Sequence, residues 1–267
     1  EDVKAKADME SELKVAKEVQ TMLLPPANLQ NSHLGLASVV QFAAQCGGDW
    51  WGVLDAKDVN GSPVTILMLG DVTDHGVPSA LITAAVRGGL SVVGNWVEKN
   101  AEHAIDPCWV LNHLNRAVCD SAKGRLSMTF FIAAFLHQSQ KVRCANAGHP
   151  FPYLIRPGDK GGKATLKNIT VAGDPLGDKI TNTYTEYEEL DWTKGSRLFI
   201  YSDGVIDPGI ADESDAYGRK QLRKTVQAGA AMGGQGLLNR IMDERKKLMS
   251  AYPQPDDITM VIADAKV

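Results

Sequence analysis

Cysteine is scarce and scattered in this 267-residue chain. Cys46, Cys108, Cys119 and Cys144 form no CxxC pair, which argues against a zinc site or a disulfide framework. Buried free thiols in a reducing, cytoplasmic compartment are the expectation. No apolar run approaches the roughly 20 residues that a bilayer span requires, so no direct membrane contact is expected. The opening residues, EDVKAKADME, lack the apolar core of a secretory leader. They also lack an initiator Met, so further sequence is expected before Glu1. Positive charge is not in excess, with 28 Lys and Arg against 32 Asp and Glu, a formal net charge of -4. A global attraction to nucleic acid or anionic lipid is thereby excluded. A GxxxxGK[ST] loop is absent too, which disfavours nucleoside-triphosphate chemistry. The chain has no internal repeat and no low-complexity tract.

What is present supports a sizeable core, since 44% of the residues are hydrophobic and 22% charged. The charged segment Val3–Leu24 carries Met9, Leu13, Ala16 and Leu23 at helical spacing, with Gln20 in the remaining slot and Val15, Val19 and Met22 alongside. That pattern predicts an amphipathic helix or short coiled coil, stopped by Pro25-Pro26. Strand texture follows over Ser38–Gln45, Trp50–Asp55 and Val64–Leu69, with a turn at Asn60-Gly61. A helix is expected to open near Pro78-Ser79, and a second at Asp106-Pro107, with Asp as N-cap and Pro at N1. From Met128 to Ile200 the stretches MTFFIAAFL, VRCANA, FPYLI, TYTEYEEL and SRLFIY read as successive strands. A helical tail runs from about Gly218 to Met249, broken at Met232-Gly233-Gly234, before a last strand from Ile258. Strands that do not alternate regularly with helices predict an α+β architecture of helices layered on antiparallel sheets.

Acids recur at the ends of the apolar strands: Asp49 in CGGDWW, Asp71 in LMLGDVTDHG, Asp203 in LFIYSDGVID, and Asp256 and Asp257 in PQPDDITMVIA. Each alone reads more readily as a turn residue or helix cap than as a ligand. Together they would repel one another strongly at the ends of neighbouring central strands unless a cation lay between them. No Lys or Arg falls within the four motifs. Hard oxygen donors without Cys select Mg²⁺ or Mn²⁺, and such centres commonly activate water to attack phosphate esters in line. The residues thus point to a metal-dependent hydrolase.

ELKVAKEVQTMLLPP, GGDWW, LGDVTDHGVPSAL, ANAGHPFPYLI, GDPLG, LFIYSDGVID and DDITMVI occur in this order. They resemble the motifs of bacterial stage-II-sporulation-E/RsbU-type serine/threonine phosphatases, which belong to the metal-dependent PP2C-like phosphatases. The resemblance runs from about Glu12 to the C-terminus. It implies a PP2C-like sandwich of two antiparallel sheets flanked by helices over residues 27–267, with residues 1–26 a signalling and dimerising linker helix. It also implies two Mn²⁺ or Mg²⁺ ions. Asp71 matches the bridging aspartate, Val72 the backbone-carbonyl ligand, Asp203 and Asp256 further ligands, and Asp49 a metal-site aspartate acting through water. Asp257 falls outside the direct ligands. The implied activity is dephosphorylation of a phosphoprotein, a STAS-type anti-sigma-factor antagonist in partner switching. An upstream sensor, tethered or not to a membrane, would govern it, with possible homodimerisation through the helix.

The chain departs from the family pattern at Gly52, where an acid is common, and at Asp74, where Gly is usual. A histidine common in eukaryotic relatives is replaced by Thr73. His75 is then the candidate general acid, against a simpler role in ordering its loop. His149 is expected to order a turn, Arg87 is a weak candidate phosphate clamp, and Trp50 and Trp51 are expected to fill core and rim. A rival reading is a catalytically weak phosphatase-like module that binds a partner.

Overall fold

The computed structural model describes residues 2–158, 163–207, 217–249 and 254–266. The N-terminal helix α1 (Asp2–Met22) leads into β1 (Asn28–Gln30), β2 (Leu34–Gln41), β3 (Asp49–Lys57) and β4 (Pro63–Val72). Helices α2 (Val77–Lys99) and α3 (Pro107–Ala122) follow, and then β5 (Met128–Leu136), β6 (Lys141–Ala147), β7 (Tyr153–Arg156), β8 (Thr165–Asn168), β9 (Glu188–Asp191) and β10 (Arg197–Tyr201). A 3-10 turn at Asp203–Val205 precedes α4 (Arg219–Gly229), α5 (Gly234–Met249) and β11 (Ile258–Ala265).

Local chemistry explains the boundaries. The Asp58 carboxylate accepts from the amides of Asn60 (2.8 Å) and Ser62 (2.9 Å), closing the β3–β4 hairpin. The Asp106 carboxylate accepts from the Cys108 and Trp109 amides, capping α3 with Pro107 at its first position. Glycine-rich sequence separates α4 from α5, as expected.

The strands form two antiparallel sheets, ordered β1-β2-β11-β10-β7-β8 and β3-β4-β5-β6-β9. Period-two alternation divides their side chains among three cores. Trp51, Leu67, Leu69, Phe131, Leu198 and Val261 fill the space between the sheets. Trp50, Met68, Phe130 and Ile132 face α2 and α3, and Phe199, Met260 and Ile262 face α4 and α5. The result is a helix–sheet–sheet–helix sandwich, the α+β arrangement read from the sequence. Trp50 and Trp51 are both buried, on opposite faces of one strand. Cys46, Cys108 and Cys144 are buried and all four thiols are free.

Three expectations change. The stretch TYTEYEEL pairs only at its end, because Asn112 of α3 holds Tyr184 instead: its carbonyl oxygen accepts from the Tyr184 amide (2.8 Å), and its own amide donates to the Tyr184 carbonyl (2.9 Å). The strand expected over Ser38–Gln45 ends at Gln41, since the Ala43 amide donates to the Asp257 carboxylate at 2.7 Å rather than to a neighbouring strand. Helix α2, by length and composition, is apolar enough to cross a membrane. Here it lays Ile82, Val86, Leu90, Val93 and Val97 into the core beneath β3, β4 and α3. Edge strands β1 and β8 are too short to show a sequence period.

Gly52 is explained by its neighbour. A Cβ there would stand 2.1 Å from the Trp50 ring, which is itself pinned by its indole N–H donating to the Leu23 carbonyl at 3.1 Å. Gly52→Ala is therefore expected to destabilise the fold by about 1–3 kcal/mol, as read by urea denaturation, and Gly52→Asp at least as much.

Candidate active site

The two sheets bring their acids to one end of the sandwich. Asp49 opens β3 and is directly opposite Asp71 near the end of β4, a cross-strand arrangement with Cβ atoms about 5 Å apart. From the other sheet, Asp203 begins the turn after β10, while Asp256 and Asp257 immediately precede β11. Asp49 and Asp257 are almost fully buried.

Backbone and hydroxyl donors hold this assembly. The Ser202 hydroxyl donates to Asp49 Oδ2 at 2.8 Å and accepts from the Thr259 amide at 2.9 Å, so one side chain links the two sheets. Asp257 accepts from the Ala43 and Gly48 amides, both at 2.7 Å, fastening the loop before β3. Asp256 accepts from the Asp257 amide at 2.7 Å. Arg245 of α5, itself buried, donates to the Gly204 carbonyl at 3.1 Å behind the Asp203 turn. Gly48 permits the close approach this needs, since a Cβ there would stand 2.7 Å from the Val72 carbonyl oxygen. The Gly48 carbonyl also accepts from the Val72 amide at 3.2 Å.

Gln20 reaches into the same loop from α1. Its side chain donates to the Gly47 carbonyl (2.6 Å) and accepts from the Gly47 amide (3.1 Å), a two-bond clamp two residues from Asp49. The sequence pattern gave Gln20 only a slot in an apolar stripe. Its signal was polarity on a face otherwise destined for burial. Ser202 and Arg245 carried no signal that separates them from ordinary strand and helix residues.

Burial and mutual repulsion govern the charges. Burial, then Asp49, Asp203, Asp256 and Asp257, push the Asp71 carboxyl well above its ordinary range. Asp49 is raised chiefly by burial, with Asp257 and Asp256 adding to it. Asp203 and Asp256 are raised too, again mainly by burial. No Lys or Arg forms a salt bridge with any of the five among the described residues.

The other sequence candidates separate. His75 lies exposed in the loop after β4. Asp74, in the same loop, has a φ of 70°. This left-handed backbone suits the glycine usual there, and Asp tolerates it. His149 is buried, its Nδ1 2.9 Å from the Thr129 hydroxyl, and its backbone is exchanged with the Asn146 side chain. Burial lowers its pKa to about 3. It is therefore neutral at ordinary pH and orders its turn rather than donating a proton. Arg87 bonds Ser91 on α2 and lines a groove with Met22, Leu23 and Trp50, not the cavity that Asp203 borders.

The acids fit hard divalent cations by donor type. All are oxygen donors, and Asp49 Oδ1 and Asp203 Oδ1 are buried with no hydrogen-bond donor. Among the described residues, no group of three acid, His or Cys side chains is already gathered as a metal-holding cluster.

The sandwich and its acid-lined end define a PP2C-type phosphatase. The chain belongs to the Stage II sporulation protein E (SpoIIE) family, whose pattern it matches over residues 62–266. Among curated relatives, "Phosphoserine phosphatase RsbU" of Bacillus subtilis (strain 168) is 26% identical over 263 residues, 97% of this chain and 72% of RsbU. Among solved structures, the SiaA PP2C domain of Pseudomonas aeruginosa superposes with a TM-score of 0.79 at 18% identity, covering 97% of this chain and 98% of that one. The catalytic domain of the serine/threonine protein phosphatase PstP, solved in complex with two manganese ions, gives a TM-score of 0.57 at 17% identity, over 88% of this chain and 99% of that one.

Acids whose pKa is raised by folding bind protons more tightly in the fold than in the unfolded chain. Metal-free stability should therefore fall as pH rises above the ordinary Asp value of about 3.9. Asp71→Asn removes the most crowded charge, and is expected to stabilise the metal-free protein at neutral pH by on the order of 1 kcal/mol. Thermal melts in EDTA across pH 5–8 check both statements; a variant no more stable than wild type would contradict the repulsion argument.

Proposed function

We propose that this chain hydrolyses phosphoserine or phosphothreonine in a protein, as the output domain of a bacterial signalling protein. The observation that carries the reading is the pairing of Asp49 with Asp71 across β3 and β4, with Asp203 and Asp256 brought to the same end by the opposite sheet. Asp49, Asp71, Asp203, Asp256 and the Val72 carbonyl are the groups that would hold two Mn²⁺ or Mg²⁺ ions. Bound, such ions supply charge neutralisation for phosphoryl oxygens and activation of water. Ser202 orients Asp49, and Asp257 positions the Gly47-Gly48 loop. His75, exposed in the loop after β4, would give a proton to the leaving serine or threonine oxygen. The two ions of PstP support the cofactor assignment, and the likeness to the phosphoserine phosphatase RsbU supports a phosphoserine substrate; a STAS-type anti-sigma-factor antagonist is the phosphoprotein that the motif resemblance implies.

We assign a second task to α1. Leu13, Ala16, Gln20 and Leu23 turn toward the domain, leaving Met9, Val15, Val19 and Met22 exposed. That apolar face suits a second copy of the helix and a signal from an upstream sensor, transmitted through the Gln20 clamp. A catalytically weak, partner-binding module is the competing reading.

Two measurements decide. Phosphate release from a phosphoserine protein or p-nitrophenyl phosphate is expected with Mn²⁺ or Mg²⁺, not with EDTA, and to drop at least about a hundredfold in Asp203→Asn. Metal binding without turnover would favour the partner-binding module. Val15→Glu with Val19→Glu, which spares Gln20, is expected to convert a dimer into a monomer by sedimentation. An unchanged mass would remove α1 from the interface.

A further inference from the structure

The proposed reaction centre would engage only the phosphoryl group, which every phosphoprotein shares. Choice among substrates must come from groups around it, and the wall beside Asp203 holds a candidate. A cavity of about 650 Å³ is lined by Asp203, Thr129, His149 and Phe151 on one side, and by Arg219 and Lys220 at the start of α4. Helix α4, RKQLRKTVQAG, has four basic residues and no acidic one in a chain of net negative charge. Arg219 and Lys220 are exposed and form no salt bridge among the described residues. Arg223, one turn on, also borders the cavity and is fixed there, donating to Asn168 Oδ1 at 3.1 Å and lying over the Tyr153 ring. His149, buried, belongs to the same lining.

We propose that this basic cavity is the specificity subsite for the phosphoprotein, receiving acidic side chains that flank the phosphorylated residue. The inference rests on the phosphatase reading and adds to it which substrates are chosen. An extended chain entering past α4 meets Arg219 and Lys220 with its carboxylates, stacks apolar surface on half-exposed Phe151, and delivers its phosphoserine to Asp203 and the acids beyond. Opposite charges at such a rim steer encounter and fix register. They act within a Debye length of about 8 Å at physiological salt, so the preference is local to a few flanking residues. Phosphopeptides with neutral flanks lose this attraction.

The test uses two fluorescein-labelled phosphoserine peptides, one with glutamates on both flanks and one with glutamines in their place. Binding is read by anisotropy and turnover by phosphate release, with Mn²⁺, for wild type and the double variant Arg219→Glu with Lys220→Glu. Wild type should bind the glutamate peptide about tenfold more tightly, a preference that shrinks as salt rises and disappears in the variant. Turnover of p-nitrophenyl phosphate, which has no flanks, should be unchanged. Equal affinity for the two peptides in wild type overturns the subsite, as does a preference that survives the charge reversal. A parallel loss of p-nitrophenyl phosphate turnover also overturns it, since the cations would then serve the reaction centre itself. Selective binding without hydrolysis of either peptide would refute the phosphatase reading and leave the subsite standing.

Discussion

Like-charge repulsion at the ends of four strands is the constraint around which the rest of this molecule is arranged. Carboxylates brought together in a partly buried setting destabilise the fold unless donors or cations answer them. Here the donors are supplied by Ser202 and by backbone amides, and none comes from a salt bridge among the described residues. The arrangement leaves buried carboxylate oxygens without a donor, and these are the atoms a hard cation would take. On the proposed reading, local stability is given up so that an ion would bind favourably.

The supporting elements make sense in that light. Trp51, Phe131 and Phe135 fill the space between the sheets, and this packing opposes splaying of the strand ends under the repulsion. Glycines at 47 and 48 let the loop before β3 lie against Asp257 and the Val72 carbonyl, where any larger residue would collide. Arg245 holds the Asp203 turn by its backbone and leaves the carboxylate free for other work.

Much of this was legible in the residue pattern. Apolar runs that end in acids marked the central strands β4, β10 and β11 as well as the candidate site, because an unpaired acid beside a buried strand has few ordinary explanations. Asp106-Pro107 gave the start of α3 through cap chemistry alone. What the pattern could not reveal depended on partners distant in sequence. The non-strand conformation of Thr183–Glu186 depends on Asn112 across the fold. The register that sets Asp49 opposite Asp71 follows from the hairpin turn rather than from either acid. Gln20 looked like a gap in an apolar stripe, since nothing nearby indicates that its partner is the backbone of Gly47. The absence of an acid at position 52 looked like a bare departure from the family pattern, and the space is taken by the Trp50 ring.

The order of the strands has a consequence for synthesis. The acids that meet at one end of the sandwich span Asp49 to Asp257, and β11 inserts between β2 and β10 near the middle of its sheet. During translation, Asp49 and Asp71 emerge early and remain an incomplete half-site. Ser202 can bridge the sheets only after Thr259 is in place. A ribosome-bound chain therefore lacks a finished centre until β11 has emerged, and closure of long-separated strands is the slow step in such topologies. A chain cut before Asp256 lacks a central strand and two of the acids together.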